Sequence, residues 1–418
     1  MAMKKKPVTG MKDILPREAQ IRDYVIALAK ETYGSFGFSS IETPCVEHIE
    51  NLCSKQGGEN EKLIFKILKR GEKLNIANTE EELSDSGLRY DLTLPLSRYY
   101  SNNAAQLPSP FKALQMGNVF RADRPQKGRF RQFMQCDIDI LGDASNLAEV
   151  ELITATTTLL GKLGFHGFKV RINDRRFLKA MAAYSGFSEE SYDQVFIILD
   201  KMDKIGIEGV KEELLASGFT ESAAEKYLEL FTAVSGDAQA IEALGEKLGE
   251  CLEEGTAENL RGIISMAELS KNADFDIVFD PTLVRGMSYY TGTIFEIEME
   301  QFGSSVAGGG RYDEMIGRFT GNPTPAVGFS IGFERIITIL LDENFTVPGQ
   351  EEAVAYLLEK GLAEERVSEA MKQAQAERAQ GRRVLVVWAN KNKKFQKQQL
   401  MEAGYSQFKD FYREELKH

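Results

Sequence analysis

Two apolar, β-like runs, Phe111 to Arg121 and Phe130 to Ile140, flank the polar stretch Ala122 to Gly128, and this arrangement constrains the fold more than any other feature of the chain. Paired runs about a charged connection predict antiparallel strands joined by a long loop. The loop is too basic to be punctuation, because Arg121, Arg124, Lys127, Arg129 and Arg131 crowd into eleven residues. Such repulsion calls for a polyanion, and phosphate is the obvious one. A solvated basic hairpin tip is the plainer alternative for a charge run.

The rest of the molecule gives that loop no basic surroundings. The chain has 418 residues, a net charge of -12 and a pI near 5.1. That balance excludes a protein that coats nucleic acid through charge alone, so any RNA contact must be local. A chain of this length, 43% hydrophobic, buries a sizeable core and divides into two or three domains.

Before the paired runs, Ile21, Tyr24, Val25, Leu28, Ala29 and Tyr33 recur at helical spacing, which predicts an amphipathic helix from Pro16 to Gly37. A strand ending at Pro44 follows. After the runs, a helix is expected from Asn146 to Leu163, stopped by Gly164. Residues from about Asp174 to Lys271 are rich in Ala, Glu, Leu and Lys at helical spacing and read as a helical insertion. Strand signals return at Phe275 to Phe279, Thr293 to Met299 and Ser304 to Ala307, with Gly308-Gly309-Gly310 permitting a tight backbone path. A helix from Gly332 to Asp342 precedes a linker at Val347 to Gln350. Beyond it, Ala353 to Leu358, a helix near Leu362 to Ala379, Val384 to Trp388 and a final helical stretch give a β-α-β-α pattern.

The four cysteines, Cys45, Cys53, Cys136 and Cys251, are too irregularly spaced for a zinc site or a secreted disulfide framework and read as reduced packing residues. Cys45, His48 and Cys53 fall on different faces, so no protein-bound structural metal is expected. Lys4, Lys5 and Lys6 have no apolar region behind them, which argues against a signal peptide. No apolar stretch reaches the ~18 residues of a spanning helix, so no membrane partner is expected and the cytoplasm is the default location.

Four segments carry a resemblance. Phe120 to Phe133, reading Phe-Arg-Ala-Asp-Arg-Pro-Gln-Lys-Gly-Arg-Phe-Arg-Gln-Phe, is similar to the second signature motif of class II aminoacyl-tRNA synthetases, in the form of the histidyl-tRNA synthetase family. Leu283 to Glu296 is similar to that family's Leu-Val-Arg-Gly-Leu-Asp-Tyr-Tyr-Thr-Gly-Thr-x-Phe-Glu peptide, and Ala307 to Asp313 matches its companion. Ala326 to Arg335 resembles the third class II motif. The Pro16 to Pro44 unit resembles the degenerate first motif, which forms the family's dimer interface, so a homodimer is expected; an ordinary core helix is the alternative. Met287 and Ser288 depart from the usual leucine and aspartate.

The resemblance implies a class II antiparallel β-sheet catalytic core flanked by helices, in residues 1–173 and 272–345. A helical insertion over 174–271 and a short C-terminal α/β domain over 351–418, similar to an anticodon-binding domain, complete this multidomain α+β and α/β chain. The implied activity is ATP-dependent activation of L-histidine to histidyl-adenylate, with Mg²⁺ on the ATP, followed by transfer to the 3′ end of tRNA(His). Arg121 grips the α-phosphate and the substrate carboxylate, and Arg285, across the same phosphate, is the first choice for the catalytic residue. Asp123, Arg129, Phe130 and Arg335 complete the ATP site. Asp91, Thr93 and Gln135 take the α-amino group, and Asp139 with Tyr290 takes the imidazole nitrogens, beside Tyr289. Asp91 and Asp139 stand where many bacterial relatives carry Glu. Arg124, Gln126, Lys127 and Arg129 meet the tRNA acceptor end.

Plainer readings exist. Arg285 could cap a sheet edge, and Glu334 with Arg335 could be a surface ion pair. Lys391, Lys393, Lys394 and Lys397 offer charge to an anticodon and Trp388 or Phe395 a stacking face, although Trp388 ends an apolar strand and reads as core. The rival functions are a non-catalytic paralogue of this fold, the regulatory subunit of ATP phosphoribosyltransferase, and an RNA-binding protein that kept the fold. Such paralogues erode the motif residues, whereas Arg121, Gln135, Arg285 and Tyr290 all stand here.

Overall fold

A computed structural model describes residues 3–53, 59–76, 79, 81–124, 130–232, 236, 238–285, 290–299, 303–349 and 353–413. By internal contacts these fall into two units, Met1–Lys12 with Ile26–Ile339, and Asp13–Val25 with Leu340–His418.

The elements run α1 (Pro16–Ser35), β1 (Ser39–Ile41), β2 (Val46–His48), α2 (Ile49–Leu52), β3 (Lys66–Leu68), α3 (Glu72–Asn75), β4 (Ser84–Leu88) and α4 (Thr93–Asn103). Then come β5 (Phe111–Phe120), β6 (Gln132–Leu141), α5 (Leu147–Lys162) and β7 (Phe168–Asp174). Helices α6 (Arg175–Ser185), α7 (Tyr192–Leu199), α8 (Met202–Ala216), α9 (Glu221–Thr232), α10 (Ala238–Leu248) and α11 (Thr256–Leu269) connect β7 to β8 (Phe275–Phe279). β9 (Thr293–Met299), β10 (Ser304–Arg311), α12 (Asp313–Thr320), β11 (Ala326–Ile331) and α13 (Phe333–Asp342) follow. The chain closes with β12 (Ala353–Leu358), α14 (Glu364–Ala379), β13 (Val384–Trp388), α15 (Lys393–Glu402) and β14 (Tyr405–Phe411).

The larger unit is built on one eight-stranded sheet in the order β1-β5-β6-β11-β10-β9-β7-β8. Its inner pairs are antiparallel, while β1 on β5 and β8 on β7 are parallel. The paired apolar runs are β5 and β6, joined antiparallel from Phe111↔Leu141 to Phe120↔Gln132. Strand alternation divides β6 cleanly. Cys136, Ile138 and Ile140 turn to one face with Val327, Phe329 and Ile331, and all six are buried. Gln135, Asp137 and Asp139 turn to the other. One strand thus supplies core on one side and a row of polar groups on the other. β2, β4 and β3 form a separate three-stranded sheet.

In the smaller unit, β13, β12 and β14 make a parallel sheet over a core of Val354, Tyr356, Leu358, Leu362, Ala370, Ala374 and Val384.

Several sequence readings need correction. The C-terminal pattern is β-α-β-α-β: β14 pairs along β12, and its half-exposed mixture of Lys, Asp, Gln and aromatics hides the strand. Trp388 is not core, being 48% exposed at the end of β13, the edge strand of its sheet. Cys136 is a packing residue, but Cys45 and Cys251 are exposed. Gly308, Gly309 and Gly310 do allow a tight backbone path, inside β10 and paired on both sides: a Cβ at Gly309 would lie 2.0 Å from the Gly328 carbonyl oxygen.

Candidate functional site

Residues directly opposite one another across a sheet share a face. Following register from β5 gives the row Gln115, Asp137, Ser330, Gly308, Glu296 and Arg171. A second row, two residues along, is Ala113, Asp139, Gly328, Gly310, Ile294 and Asn173. Every strand of the centre contributes to this one polar face.

The glycines in these rows make room. A Cβ at Gly308 would lie 1.8 Å from Arg285 Nη1, and one at Gly328 would lie 2.0 Å from Asp139 Oδ1. One at Gly310 would stand 3.1 Å from the Tyr290 ring. All are closer than carbon can approach without a shift. The sheet is therefore stripped of side chains where Arg285, Asp139 and Tyr290 lie across it.

Arg285 is not capping an edge, because β10 is an inner strand. Its Nε donates to Glu296, and its Nη2 donates to Ser305 Oγ at 3.2 Å. Arg335, at the start of α13, donates to the carbonyl of the same Ser305. Glu334 beside it is buried and accepts from the Met134 N–H at 3.1 Å, so it is no surface ion pair but a clasp between α13 and β6.

Arg121 leaves the end of β5 over two rings, 4.2 Å from the Tyr90 centroid and 5.1 Å from that of Phe133. Its Nε donates to the Tyr90 carbonyl at 3.1 Å. Stacking and one tether fix the plane of this donor fork. Asp137 and Gly308 are two strands apart, roughly 10 Å. Arg121 acts electrostatically on Asp137, while Arg285 lies over Gly308. Arg285 thus lies over this face, and the charge of Arg121 reaches Asp137 on it.

Three carboxylates gather there, and burial raises each. Asp139 is pushed well above the carboxylate range by burial and then by the neighbouring charge of Asp137, against a hydrogen bond from Tyr312. That bond, Tyr312 Oη to Asp139 Oδ1, is 2.5 Å long and buried. Asp137 is raised to about 7, first by burial, although Ser330 Oγ donates to it at 2.5 Å. Asp91 is also raised by burial, partly offset by the Leu94 N–H at 3.2 Å and by Arg121. Crowded buried carboxylates facing cationic groups fit a site built to receive positive charge.

Of the other residues singled out from sequence, Thr93 opens α4 two positions after Asp91. Phe130 is half-buried with Lys12 Nζ 4.8 Å from its ring, and the Asp123 carbonyl accepts from Arg131 Nε at 3.0 Å. Arg124 is exposed. Gln126, Lys127, Arg129 and Tyr289 lie outside the described residues. Sequence reading passed over Asp137, Ser330, Ser305, Glu296 and Tyr312. Of these Asp137 had a signal, since it alternates with Gln135 and Asp139 on one strand.

Among the described residues no helix is long and apolar enough to cross a membrane.

Comparison with known proteins gives the family and the fold. The chain matches the family described as histidyl-tRNA synthetase over residues 10–336. It is 44% identical over 354 residues to a histidine–tRNA ligase of Leifsonia xyli subsp. xyli, covering 81% of each chain. A histidine–tRNA ligase of Christiangramia forsetii is 38% identical over 355 residues, covering 81% of this chain and 77% of its own. Among solved structures, histidyl-tRNA synthetase from Nostoc sp. PCC 7120 superposes with a TM-score of 0.78 at 28% identity, covering 96% of this chain and 90% of that one. An ATP phosphoribosyltransferase regulatory subunit/histidyl-tRNA synthetase from Bacillus halodurans gives 0.77 at 22% identity, covering 98% and 99%, a likeness of fold alone.

Proposed function

Because this chain belongs to the histidyl-tRNA synthetase family, we propose that Arg121 and Arg285 form its activation centre, on the sheet face cleared by Gly308, Gly310 and Gly328. The chain is an aminoacyl-tRNA ligase that joins histidine to tRNA at the expense of ATP.

In the first step a histidine carboxylate oxygen attacks the α-phosphorus of ATP, the bond to the bridging oxygen breaks, and pyrophosphate leaves. Negative charge grows on the α-phosphate oxygens. Two guanidinium groups already held by Tyr90, Phe133, Glu296 and Ser305 stabilise that charge without reorganising. In the second step the tRNA terminal ribose hydroxyl attacks the acyl carbon and AMP departs.

Asp91, Thr93 and Gln135 receive the α-ammonium, and Asp139 with Tyr290 holds the imidazole. What supports this is the common sheet face of Gln135 and Asp139, the orphaned buried oxygen Gln135 Oε1, and the raised carboxylates. A site that hydrogen-bonds both ring nitrogens rejects analogues lacking them by about 10⁴.

Arg335 holds the γ-phosphate, and Asp123, Arg129 and Phe130 the remaining nucleotide. Mg²⁺ would come with the ATP as part of the substrate and would neutralise phosphate charge. Glu298, on the same face of β9 as Glu296, would offer it a hard oxygen, Glu296 already being engaged by Arg285. Arg124, Gln126, Lys127 and Arg129 meet the acceptor end of tRNA(His). The smaller unit reads the anticodon, a role supported by exposed Trp388 and Phe395 near Lys391, Lys393 and Lys394 in sequence. Residues 174–271 clamp the acceptor arm, and α1 with β1 forms a homodimer interface. Four unpaired cysteines suit a reducing cytoplasm.

The observation that carries this reading is that Arg285 lies over Gly308 on the sheet face where the charge of Arg121 reaches Asp137. Histidine-dependent exchange of pyrophosphate into ATP tests it. Wild-type protein should exchange, and Arg285→Ala should lose on the order of 10²-fold or more; no exchange by the wild type, or an unchanged rate in the variant, overturns it.

A further inference from the structure

Asp137 stands in the middle of the polar face and has no part in the scheme above. It is 4% exposed, lies in the same row as Ser330 and Gly308, and sits one strand position from both Gln135 and Asp139 on its own face. An acid buried so deeply costs stability unless its neighbours or its ligand repay it.

Its neighbours on the row account for part of its bonding. Ser330 Oγ donates to Asp137 Oδ1 at 2.5 Å. Gln115, directly opposite on β5, is occupied elsewhere: its Nε2 donates to the Leu92 carbonyl at 2.9 Å and its Oε1 accepts from Thr43 Oγ1 at 2.5 Å. The remaining donor is Gln135 Nε2, 3.3 Å from Asp137 Oδ2 and 3.5 Å from Oδ1.

That contact fixes the polarity of the Gln135 amide. Once ionised, above neutral pH, the carboxylate is acceptor-only, so the amide turns its NH₂ toward Asp137 and its oxygen away. The oxygen, Gln135 Oε1, is buried and has no hydrogen-bond partner. A buried acceptor without a partner costs about 1–3 kcal/mol, and a donor brought by a ligand removes that cost. Without a carboxylate behind it, the amide could rotate and present NH₂ to the pocket, which would repel an ammonium.

Resting on the reading that Gln135 meets the substrate α-ammonium, we propose that Asp137 is a positioning residue that holds the Gln135 amide with its oxygen toward that ammonium and so sets selectivity for substrates with a free amino group. Asp137 itself does not touch the reacting atoms. Its role differs from that of Asp91, which belongs to the loop before α4 and is tied to the Leu94 N–H.

The test uses the full chain above neutral pH and three ligands. Histidinol keeps the ammonium and lacks the carboxylate; imidazole-4-propionate lacks the ammonium; histidine has both. In Asp137→Asn the new side-chain amide can donate to Gln135 and invert it. Affinity for histidinol and the KM for histidine should each worsen about tenfold, while inhibition by imidazole-4-propionate and the KM for ATP stay unchanged. In the double variant Gln135→Glu with Asp137→Asn, one oxygen of the introduced carboxylate accepts from the introduced amide and the other faces the ligand, so histidinol affinity should return. Equal losses for histidinol and imidazole-4-propionate, no loss in the single variant, or no rescue in the double variant overturns the proposal. Absence of histidine-dependent exchange in the wild type would instead sink the activation reading on which it rests.

Discussion

Arg285 crosses Gly308 so closely that a single methyl group on that glycine would stand 1.8 Å from the guanidinium. Gly308 has an ordinary extended backbone, so alanine is tolerated by the chain itself. The atom it would strike is the far end of a flexible side chain. Gly308→Ala is therefore expected to push Arg285 off the face and away from Glu296 and Ser305 while leaving the fold intact. Pyrophosphate exchange should fall on the order of 10²-fold, close to the loss in Arg285→Ala, with little change in melting temperature. A variant that melts normally and exchanges normally would show that Arg285 need not lie there.

A second prediction concerns Tyr312, whose hydroxyl meets Asp139 of the proposed imidazole site. Its hydroxyl donates to Asp139 and lowers a pKa that burial has raised. Removing the hydroxyl raises that pKa further, so less of Asp139 is ionised at a given pH. Tyr312→Phe should raise the KM for histidine about tenfold, the worth of one hydrogen bond to a charged group. The KM for ATP should stay near the wild-type value. Steady-state kinetics with each substrate varied in turn measures both.

Much of the site was legible because it follows local periodicity. The two runs around Ala122 to Gly128 form the expected strands, and alternation alone puts Gln135, Asp137 and Asp139 on one face. What escaped depends on register between distant segments. Nothing near Asp137 in the chain announces that Ser330 will lie opposite it, or that Tyr312 will reach Asp139. The glycine triplet predicts a tight backbone path and supplies one, since a Cβ at Gly309 would stand 2.0 Å from the Gly328 carbonyl oxygen; that the missing side chains also make room for Arg285 was not legible. Trp388 and β14 were misjudged because an apolar run and a mixed polar run say little about which strand of a three-stranded sheet is central.

Asp137 also yields a pH dependence of stability. Its folded value, about 7, lies above the ordinary 3.8, with burial the chief cause. The folded state therefore holds a proton that the unfolded state has lost. The cost to folding is absent below the ordinary value, grows as pH rises through the window up to about 7, and is complete above it. Asp91, Arg121, Gln135 and Ser330 face the same carboxyl and are part of that balance. Asp137→Asn stays neutral throughout. It should unfold at higher temperature than wild type above neutral pH, by an amount worth up to ~4 kcal/mol, with the gap narrowing as the solution is acidified. Melting curves across that range measure it, and a constant gap would contradict the shift.

Arg311 lies in the glycine-rich peptide that resembles the family's, yet its side chain serves the opposite face of the sheet. It pairs with Val327 in register, and its Nε and Nη2 make two 2.7 Å bonds to the carboxylate of Glu149 on α5. Glu149 is 1% exposed, and Nη1 adds bonds to the Asp143 carbonyl and Asp313. Deleting one partner leaves a charge buried without its counterion, which costs about 3–5 kcal/mol. Replacing both partners with apolar residues of similar volume removes that penalty, because neither charge then needs solvation. Arg311→Met should accordingly lower urea-unfolding stability by that amount, and Arg311→Met with Glu149→Met should recover most of it. A double variant as unstable as the single one would mean that the bonds to Asp143 and Asp313, rather than the ion pair, fasten β10 to the helix layer.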